Sequence, residues 1–241
     1  MDTKSPVLFR FKQFHVEQTN ATMKINTDGV LLGALADHPS PNRILDIGSG
    51  TGVIAMMMAQ RFPHAIIDAV EKDELAAQLS DKNFKNSIFF NRIRAHCTLF
   101  QEFAPPALYD LIVSNPPFFL NALQNPDKRK SIARHTDASF YRELIQKAWS
   151  WLNDGGQLQL VLPPVISTSV REYADKLTDF HPAKAIHIKS FESEDAFRQI
   201  ICLRKGERMQ PNEDTIFTIY KERGIYSNAY KELLKPFFVN F

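Results

Sequence analysis

"RILDIGSGTGVIAMMMAQRF", residues 43–62, decides the fold of this 241-residue chain. Its first five residues, Arg43 to Ile47, are mostly apolar without strict alternation, the pattern of a strand covered on both faces. Three of the chain's nine glycines follow, at positions 48, 50 and 52. Val53 to Phe62 then reads as a helix. A strand that passes through glycines into a helix is the opening unit of a doubly wound α/β sheet. Glycines let backbone N–H groups approach a ligand, and the helix N-terminus behind them favours negative charge. The stretch therefore predicts a nucleotide-type cofactor site as well as a fold. From Gly50 the text GTGVIA fits the loose dinucleotide form GxGxxA; from Gly48 it is GxGxG, headed by Asp46. Glu71 ends the next strand, where an acid can hold a ribose diol. NAD and S-adenosylmethionine satisfy these features equally.

The same alternation continues outward. AIIDAVE (65–71), RIRAHC (92–97), YDLIVS (109–114) and QLQLVL (157–162) read as strands. A helix is expected from Asp73 to about Phe84, and another over 166–178. FYRELIQKAWSWL (140–152) is amphipathic, with Leu144, Ala148 and Trp151 on one face, and Asp154-Gly155-Gly156 ends it. AKAIHIKS (183–190) and FRQIICLRK (197–205) are expected to pair as an antiparallel hairpin. The expected fold is a doubly wound, Rossmann-like α/β sheet of seven strands, mostly parallel, with order beginning 3-2-1-4-5 and a C-terminal antiparallel hairpin. Residues 1–40 form an N-terminal flank with a helix capped by Thr27. Residues 41–205 form the cofactor-binding core, and 206–241 an aromatic tail. Neither flank is long enough to bury a core of its own, so 1–241 reads as one domain.

Composition narrows the function. A net charge of +2 excludes a global basic field. A hydrophobic content of 44% with 23% charge is that of a soluble globular protein. Cys97 and Cys202 both sit in apolar runs, so they read as buried free thiols suited to a reducing cytoplasm, and no metal spacing surrounds them. No apolar run reaches membrane length and the N-terminus lacks a signal-peptide core. A cytoplasmic protein, with no membrane and no obligate protein partner, is expected.

"IVSNPPFF" (112–119) supplies the chemistry. In a 3-2-1-4-5 sheet its strand neighbours the one bearing the glycines, and ligands sit at that switch point. Asn115 then lies against the cofactor and offers a carbonyl acceptor. Pro116 offers a backbone carbonyl and no N–H. Together they can accept both hydrogens of one planar –NH2 group. Two acceptors favour a pyramidal nitrogen and stabilise the positive charge that develops on it, the mirror image of an oxyanion hole. The rings of Pro116 and Pro117 hold the acceptors rigid, and Phe118 can stack on a flipped-out base. Phe119 reads as core. A sulfonium methyl donor suits this arrangement; a hydride donor has no use for it.

With these residues in place, the sequence resembles the class I S-adenosylmethionine-dependent methyltransferases that carry an Asn-Pro-Pro-aromatic motif. Among these, "FRFKQFHVEQTNATMKINTDGVLLGALA" (9–36), "SIARHT" (131–136) and the ending "FFVNF" resemble the bacterial family that methylates N6 of the adenosine just 3′ of the anticodon in a valine tRNA. The resemblance implies a cytoplasmic tRNA-modifying methyltransferase. It implies that Asp46, Gly48, Gly50 and Gly52 hold the methionine end of S-adenosyl-L-methionine and that Glu71 takes the ribose hydroxyls. Asn115 and Pro116 hold the target amine, with Phe118 on the adenine. Asp28 is placed near the cofactor mouth. The chain departs from relatives after the third strand, where "AHCTLF" replaces an acid that reads the cofactor adenine; Thr98 or backbone groups are expected to serve instead. Leu35 stands where relatives often have tryptophan.

The loop "NPDKRKSIARH" (125–135) follows the motif and carries Lys128, Arg129, Lys130, Arg134 and His135 against one acid, Asp127. Those five are expected to touch tRNA phosphates, with Arg10, Lys12 and Lys24 as weaker candidates. Three other functions compete. A glutamine-N5 protein methyltransferase, or another rRNA or DNA amino-methyltransferase, would also present a planar –NH2. A nicotinamide-dependent oxidoreductase would leave NPPF unexplained. A cofactor-binding partner protein without catalysis would not need Asn115.

Overall fold

The structure, a computed structural model, describes residues 6–21, 23–117, 128–207 and 213–241, and for 128–137 the backbone only. The opening unit forms as β3 (Arg43–Ile47) and α2 (Val53–Arg61). It is followed by β4 (Ile66–Glu71), α3 (Glu74–Lys85), β5 (Ile93–Cys97) and β6 (Tyr109–Ser114). β3 pairs in parallel with β4 on one side and β6 on the other, so the winding reverses there. β7 (Leu152–Leu162) extends the parallel sheet, and β8 (Phe180–Lys189) and β9 (Arg198–Lys205) close it as the expected antiparallel hairpin.

The order is β5-β4-β3-β6-β7-β9-β8-β10, eight strands rather than seven. The eighth, β10 (Thr215–Thr218), lies in what reads as an aromatic tail and adds in parallel to β8. It is four residues long, with Ile216 turned outward and Phe217 packed on the core. So short a strand shows its alternation only once its partner is known.

Three boundaries also differ. The helix expected at 140–152 is α4 (Lys128–Trp151), so the basic stretch from Lys128 is helical rather than a loop. It has no Gly or Pro to interrupt a helix, but its first turns lack an apolar period to announce one. Asp154-Gly155-Gly156 lies inside β7 at a register shift, where Gly155 takes a φ of 79°. The cap of α1 (Thr27–Leu35) is Asn26, not Thr27: its Oδ1 accepts from the Gly29 N–H at 2.9 Å. Cys202 is buried as expected, but Cys97 is exposed because β5 is an edge strand.

Each face of the sheet carries an apolar core. One is filled by α1, α2 and Phe84 of α3, the other by α4 and by α5 (Pro164–Leu177), which buries Val170 and Ala174. Leu144, Ala148 and Trp151 face the second core, as their spacing predicts. The two ends of the chain meet on the first. β1 (Leu8–Arg10) and β2 (His15–Glu17) form a hairpin, and Phe11 bridges to Phe238 just after α6 (Asn228–Leu234). Between them the tail folds a second hairpin, β11 (Tyr220–Glu222) with β12 (Ile225–Tyr226).

Several helices are closed at their C-termini by a cation from elsewhere in the chain. Arg61 Nη1 donates to the carbonyls of Gly33 and Ala36 at the end of α1. Arg92 reaches Ala59, Phe62 and Ala65 around the end of α2. Lys205 Nζ donates to Trp149 and Leu152 at the end of α4, and Lys12 Nζ to Lys235 and Phe241 after α6. α1 and α4 carry no basic residue in their own last turns. The distant cations satisfy orphan carbonyls and complement the dipole. Lys12 thereby spends two of its three N–H donors on the protein's own carbonyls.

Candidate active site

The glycines between β3 and α2 all have positive φ: 76° at Gly48, 53° at Gly50 and 83° at Gly52. Side chains are strained there, but the three positions differ in their surroundings. A Cβ on Gly48 or Gly50 would meet nothing within 4 Å, so the outer surface of the loop is bare backbone. A Cβ on Gly52 would lie 2.3 Å from Phe84 Cε1, so this glycine permits close packing of the loop on α3. The loop is tethered from three sides. Gly48 N–H donates to Val70 O at 2.8 Å, Gly50 N–H to Glu71 Oε2 at 3.0 Å, and Asn83 Nδ2 to Thr51 O at 2.9 Å. Asn83 also exchanges hydrogen bonds with the backbone of Glu17, which ties the N-terminal hairpin to the loop.

Asp46 lies wholly buried beneath this loop. Its Oδ2 accepts from Ala55 N–H at 3.2 Å, and its Oδ1 is a buried oxygen with no partner in the described residues. Burial pushes its pKa up to about 7, with the Ala55 N–H opposing and Glu71 adding to the rise. In the unfolded chain an aspartate ionises near 4. The folded value is the higher one, so the contribution to stability is fully present below about 4 and is lost as pH rises through about 7. Urea unfolding of the ligand-free protein at pH 5 and pH 8 should show this loss, on the order of 1 kcal/mol per pH unit at its steepest. Asp46→Asn should remove that part of the slope; an unchanged slope would deny Asp46 this titration.

Glu71 ends β4 beside the loop. Its Oε2 is taken by Gly50 N–H and its Oε1 by Asp73 N–H at 2.9 Å. A carboxylate has about four acceptor sites, so about two remain for a hydroxyl pair. Thr98 N–H donates to the main-chain carbonyl of Glu71 at 3.0 Å, and its hydroxyl is engaged with Leu99 O. His96 points away, bonded through Nε2 to Asp68 Oδ1 at 2.8 Å.

Across the switch point, Ser114 pairs in register with Ile47, and its Oγ donates to Ile47 O at 2.7 Å. Asn115 and Gly48 are therefore the next residues on adjacent strands, about 5 Å apart in the pairing direction. Pro116 is buried, Asn115 half-buried and Pro117 exposed. A Cβ on Gly29 of α1 would stand 3.8 Å from Asn115 Nδ2. Phe118 lies outside the described residues, as do the side chains of Lys128, Arg129, Lys130, Arg134 and His135, whose backbone forms the first turns of α4. Asp28 is in the first turn of α1, but its Oδ2 accepts from Arg198 Nε at 2.7 Å.

One end of the sheet thus gathers Asp46, the three glycines, Glu71, Thr98 and Asn115. The structure adds Asn26, Asn83, Ser114 and Arg198, for which the sequence carries no signal beyond ordinary polar residues. Among the described residues no His, Cys, Asp and Glu cluster could hold a metal ion, and no helix is long and apolar enough to cross a membrane.

The comparisons agree with this geometry. The methyltransferase small domain family matches residues 26–177. A protein of Pedobacter heparinus named tRNA1(Val) (adenine(37)-N6)-methyltransferase is 46% identical over 97% of this chain and 98% of its own. One of the same name from Parabacteroides distasonis is 36% identical over 96% of this chain and 97% of its own. Among solved structures, that of a predicted O-methyltransferase from Agrobacterium tumefaciens superimposes with a TM-score of 0.68, at 20% identity, over 87% of this chain and 96% of that one. That likeness speaks for the fold alone. By its match over most of its length, the chain belongs to the methyltransferase small domain family, among the relatives that bear the tRNA1(Val) (adenine(37)-N6)-methyltransferase name.

Proposed function

We propose that this enzyme transfers a methyl group from S-adenosylmethionine to N6 of adenosine 37, next to the anticodon of a valine tRNA. The observation that carries the reading is the register of β3 against β6, which sets Asn115 and Pro116 one strand from the bare glycine loop. The names of the full-length relatives support the choice of substrate. The whole chain acts as one domain, in the cytoplasm.

The residues fit the cofactor. The open backbone at Gly48 and Gly50 leaves room for it, and the unpartnered Asp46 Oδ1 is a buried acceptor next to that space. Asp46 and the glycines would hold its methionine end, Glu71 its ribose, and Thr98 would border its adenine. When bound, S-adenosylmethionine supplies an electrophilic methyl on a sulfonium. Asn115 Oδ1 and the Pro116 carbonyl accept the two hydrogens of the target amine, direct its lone pair, and stabilise the charge that grows on nitrogen. Pro116 and Pro117 keep the acceptors from relaxing, and Phe118 would stack on the adenine. No strong base is needed, because the nitrogen loses its proton to solvent only after it has become cationic.

The test is to incubate the protein with methyl-labelled S-adenosylmethionine and unmodified total tRNA and to analyse the nucleosides. Label in N6-methyladenosine of valine tRNA is expected. Its absence sinks the reading, and label in protein glutamine would favour the competing one. Replacing Lys128, Arg129 and Lys130 together with Gln should weaken tRNA binding and lower the slope of log K against log salt by about 2–3. Unchanged binding would remove those residues from the RNA contact.

A further inference from the structure

The first turn of α1 is built against the proposed amine acceptor. Asn26 caps it, and the α-carbon of Gly29 faces the Asn115 carboxamide, with Asn115 Nδ2 and Ile54 Cδ1 each 3.8 Å from where a Cβ would stand. The nitrogen end of the carboxamide thus lies beside this turn, across a space that would just take a methyl group. Upstream, the chain reaches α1 through a loop in which Ile25 N–H donates to Gln18 Oε1 at 3.1 Å. On its other side, Asp28 is fastened to Arg198, a residue 170 positions away in sequence, by a 2.7 Å charge-assisted bond. Side-chain exposure is 15% for Asp28 and 26% for Arg198, so solvent screens the pair only in part.

Arg198 is itself held. It opens β9; its Nη1 donates to Phe197 O at 2.9 Å, and its guanidinium lies 5.4 Å from the Phe197 ring centre. The next residue, Gln199, pairs with Leu162 of β7, while Leu160 of β7 pairs with Ser114 of β6. Arg198 thus stands on the same sheet edge as Asn115, two strands over, about 10 Å away in the pairing direction. A rigid strand end holds Arg198, Arg198 holds Asp28, and Asp28 fixes the helix turn beside Asn115.

We infer that Arg198 is a positioning residue for methyl transfer, acting through Asp28 and the first turn of α1 to hold the Asn115 carboxamide with its nitrogen toward Gly29 and its oxygen toward the target amine. This rests on the reading of Asn115 as the amine acceptor. Asp28, which the family resemblance places near the cofactor mouth, becomes the middle of this chain of contacts. Misplacing catalytic groups by about 1 Å costs on the order of 10²-fold in rate, so loosening of this helix end should appear in turnover. Arg198→Gln should not unfold the protein, because a carboxylate in the first turn of a helix is favoured by the dipole even without its partner.

The experiment compares wild type, Arg198→Gln, Arg198→Lys, Asp28→Asn and the Arg198→Gln/Asp28→Asn double variant. Expected for Arg198→Gln is a kcat about 10–100-fold lower, with KM for tRNA and Kd for S-adenosylmethionine within about threefold of wild type. Arg198→Lys should recover part of kcat, Asp28→Asn should lose as much as Arg198→Gln, and the double variant should lose no more than either. A kcat unchanged in Arg198→Gln overturns the inference. So does a rise in cofactor Kd with Asp28→Asn, which would make Asp28 a cofactor contact, or additive losses in the double variant. A separate readout needs no substrate. Side-chain amide NMR of the ligand-free protein, assigned by loss of the signal in Asn115→Ala, should show a Gly29-to-Asn115 proximity in wild type that Arg198→Gln loses. If that loss is seen while wild type methylates no tRNA, the substrate reading fails and the contact chain stands. If the proximity survives Arg198→Gln, the contact chain fails whatever the substrate is.

Discussion

Asn115→Ala should lower kcat for methyl transfer by at least about 10²–10³-fold, the cost typical of removing one fixed partner of a charge that develops in the transition state. Cofactor Kd should change little. The cofactor would be held from β3 and β4, by Asp46, the bare glycine loop and Glu71, while Asn115 follows β6 on the far side of the switch point. Its carboxamide nitrogen lies near Gly29 of α1, 3.8 Å from where a Cβ there would stand. Truncation removes one of two acceptors and leaves the Pro116 carbonyl, so residual turnover should exceed that of solution. Stopped turnover with calorimetric cofactor affinity intact is the expected pair of results. Turnover that survives the change would make Asn115 a turn residue only.

The second large effect is on stability. Gly52→Ala places a methyl group 2.3 Å from Phe84 Cε1 and 2.6 Å from Cζ, at a φ of 83°. Phe84 is 1% exposed and packed in the core, so it has nowhere to retreat. Overpacking of this kind costs about 1–3 kcal/mol. The left-handed backbone adds about 1–2 kcal/mol. Together they should lower Tm by roughly 5–15 °C in a domain of this size. Gly48→Ala is the control: its φ of 76° carries the backbone strain, but its methyl would meet nothing within 4 Å. It should lose less stability and more cofactor affinity, since its methyl would occupy the surface proposed for the cofactor. Thermal melts with and without cofactor separate the two. Equal melting temperatures would mean that Phe84 yields at little cost.

Much of the fold is legible because its signals are local. β3, the glycines and α2 announce themselves over 20 residues. The strand cores are long enough to read, and the buried face of α4 follows from the spacing of Leu144, Ala148 and Trp151. What escaped is short or weakly patterned: β10 with four residues, the early turns of α4 with no apolar period, and a strand that begins before its own glycines. The cap at Asn26 rather than at the expected Thr27 escaped for a similar reason, since both residue types cap well and only the hydrogen bond to Gly29 separates them.

The site divides along the same line. Residue types and spacing determined by themselves that a glycine loop follows the first strand, that an acid ends the second, and that Asn-Pro-Pro-Phe ends the fourth. These are consequences of what one short segment can adopt. Only the tertiary structure decided which groups meet: that Asp46 is buried with one oxygen unpartnered, that Asn83 ties the hairpin to the loop, and that Lys12 serves a helix end. It alone joined Asp28 to Arg198 and set Gly29 against Asn115. Such contacts link residues tens to hundreds of positions apart, and their free energy exists only once the sheet has brought the strand ends together.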